Sequence, residues 1–188
     1  MLQEIYKIII SVLTLNKPFF KDKKNFGQAS IYFAILLIII GAIISIIPNS
    51  SFLVYMGSHF DLGVVQGPSL RVVIIISVIM WIIKTTYLFF VGKILFPSKK
   101  TNCDYRKILI LVAYCQAPLF LNVIIITPAL LFFAFITYIW YNISLIVGLK
   151  IFLNYEGYVK AVLVSLAPQI IFFIYILSLF QTNNVTFS

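Results

Sequence analysis

The chain has 188 residues, of which 62% are hydrophobic and 10% charged, and its mean hydropathy is +1.09. Soluble domains are about half apolar and a quarter charged, so this composition excludes the soluble class and indicates an integral membrane protein. Five acidic residues and one histidine leave few groups for proton transfer or for binding hard metals, which argues against most enzyme classes. We therefore expect no catalytic residues, no bound metal and no cofactor.

The formal charge of +9 at pH 7 does not indicate a nucleic-acid partner. The fourteen Lys and Arg residues are spread thinly between long apolar runs, where basic residues typically orient a chain in the membrane. The two cysteines, Cys103 and Cys115, are too few for a disulfide framework and indicate no metal site. No basic cluster precedes the first apolar stretch, so we expect no removable signal peptide.

The N-terminal segment has the spacing of an amphipathic helix, with polar residues on one side and apolar residues on the other. The polar side is formed by Gln3, Glu4, Lys7, Ser11 and Thr14. We expect this helix to lie in the membrane interface and to end at Pro18, before the basic cluster of Lys21, Lys23 and Lys24. Residues 1–28 are thus predicted to form a cytoplasmic segment that either orients the bundle as an anchor or docks a partner.

Five runs of the sequence are long and apolar enough to cross a bilayer, which takes about 20 residues per helix. The first ends at Pro48, and the second is interrupted in its middle by Lys84. The runs cover Ala29–Ile47, Val72–Leu95, the two halves of Ile108–Leu149, and Val159–Phe180.

The uncharged stretch Ile108–Leu149 would form a helix of about 60 Å, twice the thickness of the hydrocarbon core. We expect it to fold back at Thr127-Pro128, because proline disfavours helix at the residue before it and fits the first turn of the next helix. The predicted fold is an all-α integral membrane protein, with five transmembrane helices over residues 29–180 preceded by an amphipathic interfacial helix. A short external tail over 181–188 completes the chain.

Twelve of the fourteen basic residues fall on one side of these five spans. Five precede the first span, five lie at the end of the second or in the loop after it, and two lie between the fourth span and the start of the fifth. The opposite side carries only Arg71, and Lys84 lies inside a span. Because cytoplasmic loops are enriched in Lys and Arg, we predict a cytoplasmic N-terminus and an external C-terminus.

Several segments carry a pattern in a fixed order along the chain. They are LNKPFFKDK before a first span that begins FGQASIYFAIL, then YRKILILVAYCQAPLFL, a Pro-marked hairpin, ITYIWYNISLIVGLK, and YEGYVKAVLVSL. Over roughly residues 15–180 this pattern resembles the Yip family, membrane proteins named for their interaction with Ypt/Rab GTPases. The resemblance implies a five-span bundle with a cytoplasmic N-terminus and, in the eukaryotic members, a role in vesicle traffic through GTPase and partner binding.

The chain departs from the eukaryotic Yip members at its N-terminus. Those members place a substantial cytoplasmic domain before the bundle, whereas about 28 residues precede the first span here. The sequence is therefore more similar to the short prokaryotic members, and we do not transfer Rab binding to it. This resemblance implies a bacterial inner membrane, with the eukaryotic ER or Golgi membrane as the alternative.

Three polar residues are predicted to lie near the bilayer midplane. Lys84, Gln116 and Gln169 each stand nine residues from a basic residue at the predicted cytoplasmic interface, a depth of about 14 Å. Gln116 and Gln169 lie beside Pro118 and Pro168, which are expected to kink their helices and to free backbone carbonyls. One hypothesis is a single polar site that binds an anion, a headgroup or a carboxylate. The alternative is that the glutamines donate to the freed backbone while Lys84 snorkels or satisfies a carbonyl.

These patterns favour a non-enzymatic scaffold or adaptor that binds membrane partners or lipids. The alternative is a small transporter or channel subunit built around Lys84. Expected partners are the lipid bilayer and either another membrane protein or a second copy of the chain. We also expect Asn122 and Asn142 to form hydrogen bonds between helices.

Overall fold

The computed structural model describes residues 2–27, 30–60, 68–97, 104–125 and 127–183, and over these ranges the chain is helical without any strand. The α-helices in these ranges are α1 (Leu2–Leu13), α2 (Lys17–Lys21), α3 (Ser30–Phe60), α4 (Leu70–Phe90), α5 (Tyr105–Tyr114), α6 (Leu131–Phe152) and α7 (Tyr158–Asn183). Shorter 3-10 helices cover Lys23–Phe26, Ala117–Ile124 and Pro128–Leu130, and a π-helical turn covers Val91–Leu95. Cys103 and the last five residues of the predicted tail lie outside the described ranges.

Four helical segments of the described chain are long and apolar enough to cross a membrane. They are Ser30–Ile47, Leu70–Leu95, Tyr105–Ile124 and Leu131–Phe152. These segments confirm the prediction of an all-helical membrane protein. The start of α7, Tyr158–Ile170, is a shorter apolar helix, so the fifth crossing stays a prediction.

The helix that contains the first span continues beyond it. The apolar span ends at Ile47, next to Pro48 as the sequence predicted, but α3 continues as a helix to Phe60. A proline inside a helix removes one hydrogen bond without preventing the turns on either side. In an apolar environment, continuing the helix is the simplest way to pair the remaining backbone groups.

The third span is interrupted near its middle. Helix α5 ends at Tyr114, and after a turn at Cys115 and Gln116 the chain continues as the 3-10 helix Ala117–Ile124. Pro118 lacks a backbone N–H and lies in the first turn of that 3-10 helix. Eight residues are a long run for a 3-10 helix, whose hydrogen bonds are poorer than those of an α-helix. Pro168, in contrast, lies inside α7, which stays helical on both sides of it.

The N-terminal helix α1 packs against the bundle. Its apolar side chains Ile5, Ile8 and Val12 are buried, and α1 contacts α5, α6 and the 3-10 helix Ala117–Ile124. The indole N–H of Trp140 donates a 3.2 Å hydrogen bond to the carbonyl of Leu13 at the end of α1. Part of the apolar face of α1 therefore contacts protein, and the position of this helix in the membrane interface stays a prediction.

The link between α1 and α3 is folded. Helix α1 ends at Leu13, and Leu15 has the positive φ of 51° typical of a chain reversal after a helix. Pro18 then lies in the first turn of α2. The expectation that Pro18 ends α1 was wrong, because α1 already ends at Leu13. The fixed φ of proline suits this first helical turn.

Buried aromatic side chains pack the segment between α1 and α3 against the bundle. Phe19, Phe20 and Phe26 are at most 5% exposed. The Phe26 ring lies 4.5 Å from that of Phe152 and 5.5 Å from that of Tyr114, measured between centroids. These contacts join the N-terminal segment to the end of α6 and to the end of α5.

The described parts of the basic loops lie together at one end of the bundle, where α4 ends, α5 begins and α6 turns into α7. The Phe89 and Tyr105 rings, from the end of α4 and the start of α5, are 5.5 Å apart. The Tyr155 hydroxyl, from the turn between α6 and α7, donates a 2.7 Å hydrogen bond to the carbonyl of Gly92. We call this the basic end, because its described residues include Lys24, Lys93, Arg106, Lys107, Lys150 and Lys160.

Candidate functional site

A cavity of about 540 Å³ lies between α4, α6 and α7. Helix α4 contributes most of its wall, α6 contributes one side chain and α7 contributes two. The lining residues are Met80, Ile83, Lys84, Tyr87, Tyr138, Pro168 and Gln169. The cavity is thus mainly apolar, with one ammonium and one amide as its strongest polar groups, a composition typical of small-ligand and side-chain pockets.

Lys84 reaches from α4 towards α6. Its Nζ lies 4.4 Å from the centroid of the Tyr141 ring, within the range of a cation–π contact. A lysine at the centre of a membrane helix costs about 2.5–3.5 kcal/mol, and a desolvated cation–π contact returns about 2 kcal/mol. The Tyr141 ring therefore offsets much of the penalty.

The spans provide no acidic counter-ion for Lys84. By sequence, all five acidic residues fall outside α3 to α7. They are Glu4, Asp22, Asp61, Asp104 and Glu156. A carboxylate beside the ammonium would be a stronger partner in a low-dielectric medium than an aromatic ring. Lys84 is thus a membrane-embedded cation that contacts an aromatic ring and has no carboxylate partner within the spans.

Gln169 belongs to the same cavity but has a partner on α6. Its Nε2 donates a 2.8 Å hydrogen bond to Oδ1 of Asn142, whose Nδ2 donates a 2.8 Å bond to the carbonyl of Tyr138. The amide therefore joins α7 to α6 through side chains, whereas one of our two alternatives had it donating to backbone freed by Pro168. This contact also confirms that Asn142 forms a hydrogen bond between helices.

Gln116 lies away from this cavity. Gln116 follows α5, at the break in the third span. Its Oε1 lies close to Gly41 of α3, since a Cβ added to Gly41 would be only 3.0 Å from this oxygen. The ring of Phe120 would be 3.3 Å from the same added Cβ. The structure thus brings together two of the three predicted midplane residues, Lys84 and Gln169, and places the third at the contact with α3.

A second buried polar contact joins the broken third span to α6. The Thr137 hydroxyl donates a 2.6 Å hydrogen bond to Oδ1 of Asn122 and lies 3.0 Å from the carbonyl of Ala134. Asn122 therefore forms the interhelical bond that the sequence predicted. Its role is to hold the 3-10 segment against α6, because an unpaired amide inside the bundle would be unfavourable.

Sequence reasoning did not identify Tyr141 as the partner of Lys84. The usable signal is the spacing of Tyr138 and Tyr141, three residues apart and hence on one helix face, beside Asn142. In the described residues, no group of three or more His, Cys, Asp or Glu side chains could hold a metal ion. The site is therefore defined by a cation, aromatic rings and amides.

The fold and the site define the class as a polytopic α-helical membrane protein with an interrupted third span and a lysine-containing cavity between three of its helices. The chain belongs to the Yip family, since the family model for the Yip1 domain matches residues 10–180. This match confirms the family that the sequence pattern indicated. No match was found among curated proteins or among solved structures.

Proposed function

We propose that this Yip-family protein is a non-enzymatic scaffold or adaptor that binds membrane partners or lipids through a basic surface on its N-terminal segment. The observation that carries the proposal is the split of this segment between buried aromatic rings and exposed cations. Phe19, Phe20 and Phe26 are buried in the bundle, whereas Lys17, Lys21 and Lys24 are exposed. We call these three lysines the basic platform.

Local hydrogen bonds fix the backbone beneath the basic platform. Oδ1 of Asn16 accepts from the Phe19 N–H at 3.3 Å, and Oδ1 of Asp22 accepts from the Lys24 N–H at 3.0 Å. The Asn25 side chain donates to the Phe19 carbonyl at 3.0 Å. A surface that is already ordered loses less entropy on binding, which favours a permanent docking role.

The positive charge of the platform defines the kind of surface that it would bind. Each lysine close to an anionic membrane surface contributes about 1 kcal/mol, and an acidic protein surface attracts it in the same way. We place the platform in the cytoplasm, because the basic end as a whole follows the distribution expected for cytoplasmic loops. A bacterial inner membrane is the setting that we favour.

The experiment compares two triple variants with the same loss of charge. Lys17→Gln, Lys21→Gln and Lys24→Gln together remove the platform, and Lys107→Gln, Lys150→Gln and Lys160→Gln remove three cations elsewhere at the basic end. Both variants and the wild type are purified from native membranes in mild detergent. We expect a stoichiometric partner with the wild type and the control, and its loss from the platform variant. Equal retention by both variants would refute the platform.

Vesicle flotation separates a lipid from a protein partner. The same proteins are reconstituted, and the binding of anionic and zwitterionic vesicles to the exposed platform is measured. Binding to anionic vesicles that falls only in the platform variant assigns the surface to lipid. If a protein is captured through the platform but anionic vesicles are not bound, the platform is assigned to an acidic protein partner.

A transport role is the second candidate, and the broken third span favours it. Many secondary transporters place their sites at discontinuous helices near the midplane, as the turn at Cys115 and Gln116 would allow here. The test is flux of small anions into proteoliposomes containing wild type or Lys84→Met. Saturable flux that disappears in Lys84→Met would replace the scaffold with a transporter, and its absence in both would leave the scaffold.

A further inference from the structure

We infer that the cavity around Lys84 receives an acidic side chain from a transmembrane helix of another membrane protein. The inference rests on the proposed scaffold function and names one class of partner for it, at a place separate from the basic platform. It begins from the ammonium of Lys84, which contacts the Tyr141 ring at 4.4 Å in a chain whose five acidic residues all lie outside α3 to α7. The missing partner of this cation is an anion.

The surface beside the cavity has the form of a helix-packing face. Ile76, Ile79, Met80 and Ile83 of α4 are between 49% and 57% exposed and recur at the three- and four-residue spacing of one helix stripe. Met80 and Ile83 also line the cavity, which is partly open. A second helix lying along this stripe could therefore direct a side chain into the cavity beside Lys84.

The depth of Lys84 in the membrane favours a transmembrane helix over a lipid as the source of the anion. The lysine lies nine residues from Lys93 at the basic end, about 14 Å along α4. The acidic group of a phospholipid lies in the headgroup region, at the edge of the hydrocarbon core. A transmembrane helix, in contrast, holds a carboxylate at a fixed depth, and basic and acidic residues within membrane spans typically pair with one another.

A second copy of this chain does not supply the anion at that depth, because α3 to α7 contain no Asp or Glu in any copy. The occupant is therefore a different protein, with one Asp or Glu near the middle of a span. Gln169 can remain bonded to Asn142 in such a complex, since Lys84 alone provides the charge that pairs with the acid.

The test uses the full chain in proteoliposomes and designed single-span peptides as probes. One peptide is a Leu-rich helix with Asp at its centre, the second has Asn there, and the third has the Asp two turns nearer one end. Association is measured by energy transfer between labels on the protein and on the peptide. We expect the central-Asp helix to bind about tenfold more tightly than the others, because only its carboxylate can pair with the ammonium at the same depth. A tenfold difference corresponds to about 1.4 kcal/mol.

Variants of the protein assign the effect to Lys84. The preference for central Asp should disappear in Lys84→Met and persist in Lys93→Met. The control removes a lysine in the π-helical turn that follows α4, and this lysine also lies over an aromatic ring, at 4.8 Å from Phe89. If Lys84→Met unfolds, the comparison of the three peptides on the wild type still decides the matter. Equal binding of the three peptides, or a preference that survives in Lys84→Met, overturns the inference.

Two further outcomes also overturn it. Oleate or an anionic phospholipid that binds in a Lys84-dependent way, while the central-Asp helix does not, would assign the cavity to an amphiphile. A Lys84-dependent dimer of the chain itself would assign it to a second copy. Loss of binding at the basic platform leaves the peptide result unchanged, so this inference and the platform fail separately.

Discussion

The hydroxyl of Tyr155 donates a 2.7 Å hydrogen bond to the carbonyl of Gly92, and this bond ties the end of α4 to the turn before α7. The two residues are 63 positions apart, and both are buried. Burial raises the pKa of Tyr155 to about 12, so the phenol stays protonated and able to donate in alkaline solution that would ionise an exposed tyrosine. The bond thus connects two elements at the basic end of the bundle, one following α4 and one preceding α7.

Replacing Gly92 should destabilise the packing at the basic end of the bundle. A Cβ at position 92 would lie 2.6 Å from Cδ1 of Leu153, which is fully buried. We expect Gly92→Ala to destabilise the protein by about 1–3 kcal/mol through overpacking, measured as a lower melting temperature in detergent. Gly157→Ala is the matched control, because nothing lies within 4 Å of an added Cβ there. Equal melting temperatures for the two variants would contradict the tight packing at Gly92.

Two buried threonines should respond in opposite ways to the same change. Thr137 donates a 2.6 Å hydrogen bond to Asn122, so Thr137→Val is expected to cost about 1 kcal/mol. The hydroxyl of Thr85 has no hydrogen-bond partner in the described part of the chain, so Thr85→Val should be neutral or stabilising. Both can be measured by unfolding in mixed micelles. A larger loss for Thr85→Val than for Thr137→Val would show that these polar contacts are assigned incorrectly.

The two tryptophans of the chain allow a test of how α1 is held. The Trp140 indole donates to the carbonyl of Leu13, whereas the Trp81 indole donates to the carbonyl of Leu109 at 2.9 Å. Trp140→Phe should therefore increase hydrogen exchange in α1 several-fold, and Trp81→Phe should leave α1 exchange unchanged. Mass spectrometry of peptides from residues 2–13 gives the readout. Protection of α1 that is the same in both variants would mean that the indole bond does not hold this helix.

The position of the C-terminus tests the number of crossings. Five spans and a cytoplasmic N-terminus place the C-terminus outside, because each crossing changes the side. A reporter active only in the cytoplasm should work when fused before Met1 and fail when fused after Ser188, and a reporter active only outside should behave in the reverse way. A cytoplasmic C-terminus would mean that α7 does not cross.

The sequence by itself determined the class, the family and the approximate spans. Long uncharged runs such as Ile108–Leu149 are unstable in water and stable in a bilayer, so hydropathy alone identifies them. Proline is a weaker signal, because its effect depends on the surroundings. Pro118 lies in the first turn of the 3-10 helix that follows α5, whereas Pro168 lies within an α-helix. At Pro48 the apolar span ends but α3 continues.

Only the tertiary structure decided which polar side chains meet. A span that is apolar all round has no dominant face, so its sequence does not state which side a neighbouring helix covers. Lys84, Gln116 and Gln169 share a depth by residue count, yet rotation of the helices sends Gln116 to Gly41, Gln169 to Asn142 and Lys84 to the Tyr141 ring. Depth follows from counting along one helix, whereas contact depends on the rotation of two helices relative to each other, which is set by packing.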